Sequence, residues 1–74
     1  GGRASNIDEL IGREGIVREI RGDTESPTGY LVDLAGEQWS ARSLESGQIL
    51  KLGDKIFIRG VDGVHLMVQK RREI

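Results

Sequence analysis

Ser40 and Ser43 flank Arg42 in "WSARS", and the chain's one imidazole is His65. Nucleophilic catalysis would need a hydroxyl, a base within hydrogen-bond reach and a third group to orient that base. No histidine or lysine stands in such an arrangement with either serine, and His65 is expected on a strand with its ring facing outward. The carboxylates Asp8, Glu9 and Glu14 read as a solvated segment rather than an acid/base pair. Glycosidase-type chemistry would also need a cleft that so short a chain hardly makes. "GDTESPTG" (22–29) is rich in oxygen ligands but lacks the ordered spacing of a calcium loop. With Cys 0 and His 1 there is no thiolate or multi-histidine metal site and no disulfide framework. No catalytic, cofactor or metal site is therefore expected, and the chain reads as a binding module rather than an enzyme.

A chain of 74 residues is one domain, and one that buries only roughly 60% of its unfolded surface. Stability must come from packing alone. The net charge is -1 and the sequence pI about 5.8, against the basic stripe of a general phosphate-backbone binder. No apolar run is long enough to span a bilayer, and "GGRASNIDEL" has no signal-peptide core. Gly1-Gly2 reads as a cloning remnant or the end of a linker. Residues 1–11 are expected as a linker or N-terminal segment, 12–70 as a barrel and 71–74 as a charged tail.

Glycines spread along the chain, with one proline, suit a fold of many tight turns. "SNIDELIG" offers a short turn capped by Ser5 or Asn6. "EGIVREIR" (14–21) reads as a strand and 22–29 as a polar loop. "YLVDLAGEQWSAR" (30–42) reads as a hairpin about Ala35-Gly36, pairing Val32 with Trp39, Tyr30 with Ala41 and Leu34 with Glu37. That register gathers Val32, Leu34, Trp39 and Ala41 on one face. Trp39 is expected to be largely buried with Val32, Ile56, Ile58, Leu66 and Val68. "SLESGQILKLGD" (43–54) is a connector with room for a helical turn.

"KIFIRGVDGVHLMVQ" (55–69) is a second hairpin. A two-residue turn at Asp62-Gly63 would mix apolar and polar residues on both faces. A three-residue loop, Val61-Asp62-Gly63, sorts them: Ile56 opposite Val68 and Ile58 opposite Leu66 inside, Phe57 opposite Met67 and Arg59 opposite His65 outside. Phe57, Arg59, His65 and Met67 are accordingly the candidate protein-binding residues, an apolar centre with a cation at its edge. The alternative is that Ile7, Leu10 and Ile11 lie across them. About five short antiparallel strands point to an all-β barrel, first of the OB type and second SH3-like. An OB barrel also raises single-stranded nucleic acid as an alternative ligand. Such sites combine exposed aromatics with a basic groove. Here Trp39 and Tyr30 are assigned inward, and "QKRREI" reads as a solubilising tail, so no nucleic-acid partner is expected.

Together "LIGREGIVREI", "VDLAGEQWSARS" and "ILKLGDKIFIRGVDGVHLMV" resemble the C-terminal soluble domain of the NfeD family over about residues 10 to 70. The matching positions are Gly12 and Gly15; Trp39, Ala41 and Ser43; Ile49, Gly53, Ile56 and Ile58; and Leu66 and Val68. Two departures are the longer segment at 22–29 and the added Leu50 and Leu52, both expected to bear on partner choice and not on the fold. The resemblance implies a five-stranded OB barrel attached to membrane-spanning helices outside this chain, and a membrane-associated location on an undefined side. It also implies a stomatin- or flotillin-like membrane scaffold as partner, self-association as another possibility, and a role in regulating membrane protease activity. Longer relatives carry a ClpP-like serine protease domain, for which this chain has no room.

Overall fold

The computed structural model describes residues 7–71. The readings made for Gly1-Gly2, for the Ser5 or Asn6 cap and for the tail beyond Arg71 lie outside the described residues, as do the side chains of Ile7 and Asp8. A 3-10 turn, Ile7–Leu10, precedes five strands: β1 (Glu14–Asp23), β2 (Ser26–Leu34), β3 (Glu37–Ser43), β4 (Lys55–Asp62) and β5 (His65–Lys70). Around the barrel the order is β1-β2-β3-β5-β4, and β4 closes back onto β1. All neighbours are antiparallel except β3 and β5, which run parallel. Closure leaves the central strands without a free edge, the economical solution for so few strands.

Alternation along each strand fills the interior. Val17, Tyr30, Val32, Leu34, Ala41, Ile56, Ile58, Leu66 and Val68 are buried, together with Leu50 from the connector. No polar or charged residue is buried as a whole among the described residues. Leu10, Ile20 and Trp39 pack against this cluster from its rim. Trp39 is thus half-buried rather than deep, although it pairs with Val32 as the sequence predicts. The whole 30–42 register is as expected, from Tyr30 opposite Ala41 to Leu34 opposite Glu37. Its turn holds Ala35 at φ 52 and Gly36 at φ 89, and Asp33 Oδ1 accepts the Gly36 N–H at 3.1 Å. Positive φ at both central residues matches the twist of the flanking strands, but for alanine it is strained. Ala35→Asn should therefore stabilise the domain by about 0.5–1 kcal/mol. A urea midpoint that stays put or falls would count against this.

Three segments depart from expectation. Residues 22–29 are not a loop: β1 runs on to Asp23, β2 starts at Ser26, and only Thr24-Glu25 turn. Polar composition hides this extension, since both its faces are solvated. Pro27 is tolerated because β2 there pairs with β1 alone. The connector forms isolated turns rather than a helical one, and Leu50 belongs to the core instead of standing apart from the fold. Its N–H donates to Tyr30 Oη at 3.0 Å in a buried bond. Tyr30→Phe would strand that N–H away from water, at a cost of about 1–3 kcal/mol, readable by urea unfolding; an unchanged midpoint would mean the amide finds water.

The last hairpin turns at Gly63-Val64, not at either site considered from sequence. Gly63, at φ 63, supplies the positive φ of the first central position, as in a II′ turn. Ile58 faces Val68, Gly60 faces Met67 and Asp62 faces His65, with a register shift between Ile58 and Gly60. Arg59 is the extra residue of a β-bulge there. The bulge shifts the register by one residue, which lets Ile56 and Ile58 face inward with Leu66 and Val68.

Candidate functional surface on strands β4 and β5

A bulged hairpin rearranges the four candidate residues. Phe57 lies half-buried between its register partners Glu14 of β1 and Gln69 of β5. Met67 lies half-buried between Gly60 of β4 and Arg42 of β3. Phe57 and Met67 are therefore not cross-strand partners. Nor are Arg59 and His65: Arg59 is exposed at the bulge, and His65 is half-buried opposite Asp62. The 3-10 turn packs against β4, with Leu10 at the core rim, and Ile11 is 47% exposed.

Phe57 and Arg59 open onto a groove of about 870 Å³. Lys55, Phe57 and Arg59 line it from β4, and Gln69, Lys70 and Arg71 from β5 and the residue after it. Glu45, Gln48 and Asp54 line it from the connector and form its acidic and amide wall. That wall is tied to β5: Gln69 Nε2 donates to Glu45 Oε2 at 3.0 Å, and the Lys70 N–H donates to Gln48 Oε1 at 3.4 Å. Lys70 Nζ pairs with Asp54 at 3.6 Å, and Arg71 Nη1 with Glu14 at 2.7 Å. Lys55 and Arg59 have no ion-pair partner among the described residues. Sequence reading found Phe57 and Arg59 but missed Lys55, Gln69 and Lys70. The alternation of Lys55, Phe57 and Arg59 along β4 was a readable signal for the first of these.

Elsewhere the candidate chemistry disperses. Ser43 Oγ donates to the Glu45 carbonyl at 3.0 Å, and His65 Nδ1, like Trp39 Nε1, is buried with no hydrogen-bond partner among the described residues. Asp23 Oδ1 accepts the Glu25 N–H at 3.2 Å inside the β1–β2 turn. No group of three potential metal ligands forms among the described residues. Of the aromatics, Tyr30 is buried, Trp39 packs against the core and Phe57 is half-buried. A second, smaller concavity of about 390 Å³ lies between Pro27–Tyr30 of β2 and the connector near Ser46–Ile49. No helix among the described residues is long and apolar enough to cross a membrane.

A family model described as the NfeD-like C-terminal, partner-binding domain matches residues 7–70. Among solved structures, the C-terminal domain of stomatin operon partner protein 1510-C from Pyrococcus horikoshii is similar at 29% identity and a TM-score of 0.73, over 89% of this chain and 94% of that one. The soluble domain of a membrane protein implicated in regulation of membrane protease activity, from Corynebacterium glutamicum, is similar at 28% identity and a TM-score of 0.73, over 88% of this chain and 97% of that one. No curated protein matches this chain.

Proposed function

Because the chain belongs to the NfeD family, as an NfeD-like C-terminal, partner-binding domain, we propose that it is a non-catalytic interaction module of a membrane protein, whose partner is a stomatin- or flotillin-like membrane scaffold. Regulation of a membrane protease would then follow from that docking. The match to a partner-binding family across residues 7–70 carries the reading. The filled interior supports it, since side chains occupy the barrel and leave its outside for recognition. The outer face of β4 and β5, with Phe57, Arg59, His65 and Met67, is the surface we assign to the contact. Helices outside this chain would hold the module at the membrane.

The test is a calorimetric titration of the domain with the soluble part of a stomatin-family protein from the same organism. Saturable binding with a dissociation constant of about 100 µM or tighter is expected. No binding at millimolar concentration would overturn the reading. Saturable micromolar binding of oligo(dT) with quenching of Trp39 fluorescence would favour a nucleic-acid module instead.

A further inference from the structure

We propose that the groove across β4 and β5 takes an acidic protein segment carrying one large apolar side chain. The inference rests on the partner-binding reading and deepens it by naming the chemistry of what docks. Four cations, Lys55, Arg59, Lys70 and Arg71, line the groove against two carboxylates, Glu45 and Asp54. The chain as a whole carries a net charge of -1, so positive charge is concentrated here against the overall balance. Lys70 is engaged by Asp54 of the connector wall and Arg71 by Glu14 of β1. Lys55 and Arg59 have no such partner among the described residues, and they flank Phe57 at alternate positions on β4.

That sequence of groups reads as charge, ring, charge along one strand. Phe57, half-buried between Glu14 and Gln69, offers an apolar floor held in place by its neighbours. An apolar side chain of the ligand would bury against it. Carboxylates on either side would meet Lys55 and Arg59, the guanidinium offering a two-pronged hydrogen-bond fork. The hydrogen bonds from Gln69 and Lys70 to the connector fix the groove's width before anything binds, which lowers the ordering cost of association. A nucleic-acid strand fits less well: among the described residues Phe57 is the one aromatic lining the groove, and a half-buried ring is a poor stacking platform for successive bases.

The probe is a fluorescein-labelled peptide, DEEEFEEDE, read by anisotropy against the intact domain, with KKKKFKKKK as its charge-reversed counterpart. The acidic peptide should bind saturably, more weakly as salt rises, and the basic one at least about tenfold more weakly. Lys55→Glu and Arg59→Glu should each weaken the acidic peptide about tenfold, and Phe57→Ser by a similar factor. Arg21→Glu, an exposed cation on β1 away from the groove, should leave binding unchanged. The two charge variants alter exposed side chains, so they keep the test decisive if Phe57→Ser unfolds. Equal binding of both peptides, an equal effect of Arg21→Glu and Arg59→Glu, or tighter binding of oligo(dT) through the same residues would overturn the proposal. Against a stomatin-family protein the two claims separate. If it binds wild type and the three groove variants equally, the groove fails and the partner-binding reading stands. If it does not bind wild type, that reading itself fails.

Discussion

Leu50→Ala is expected to lower the domain's stability by about 2–5 kcal/mol, a large part of what a domain of this size possesses. Leu50 is 0% exposed although it comes from a stretch with no regular secondary structure. It is the connector's one fully buried side chain among the described residues, seated with Tyr30, Ile58 and Val68 in a single cluster. Removing its side chain opens a cavity that the closed strands around it cannot fill by collapse. The substitution also loosens the segment whose N–H bonds Tyr30 Oη, which adds to the loss. Urea unfolding should show a lower midpoint with an unchanged slope. A loss below about 1 kcal/mol would show that the connector is dispensable to the core.

Gly15→Val should cost about 3 kcal/mol or more, by overpacking rather than by a cavity. Gly15 lies where both seams of β1 meet: it pairs with Ile56 of β4, and its neighbour Ile16 pairs with Asp33 of β2. A Cβ at this position would stand 2.9 Å from the Asp33 carbonyl oxygen and 3.4 Å from the Cδ1 atoms of Leu34 and Ile56. The first contact is with backbone, so relief requires β1 and β2 to part. Gly15→Ala should show the smaller form of the same effect, about 1–3 kcal/mol. Equal thermal midpoints for wild type and Gly15→Val would mean the barrel breathes enough at this seam to accept a side chain.

What was legible in the sequence was what alternation alone encodes. The 30–42 hairpin came out residue for residue because its apolar positions keep period two up to a turn at Ala35-Gly36. The all-β class and closure into a five-stranded barrel followed from strand number and turn spacing. What alternation cannot encode is an inserted residue. Arg18, Thr28 and Arg59 each sit at a register shift, and each is an ordinary polar residue that gives no sign of a bulge. Phe57 and Met67 were mispaired because the hairpin turns at Gly63-Val64, beyond both turns considered, and the bulge at Arg59 then shifts the ladder by one residue, to Gln69 opposite Phe57. Leu50 was misjudged for a different reason: burial from an irregular segment depends on where the chain lands, not on its period. The groove was half legible on the same grounds. Its β4 side follows from alternation, whereas Glu45 and Asp54 arrive from the connector.

The central claim is that a partner docks on the outer face of β4 and β5. The most direct measurement is the amide spectrum of ¹⁵N-labelled domain during titration with the soluble part of a stomatin-family protein. The first and largest shifts should fall on Lys55, Phe57, Arg59, Gln69 and Lys70, with residues 18–29 of the β1–β2 hairpin unmoved. Shifts confined to that hairpin and to the smaller concavity beside Tyr30, with the β4 and β5 amides unchanged at saturation, would contradict it.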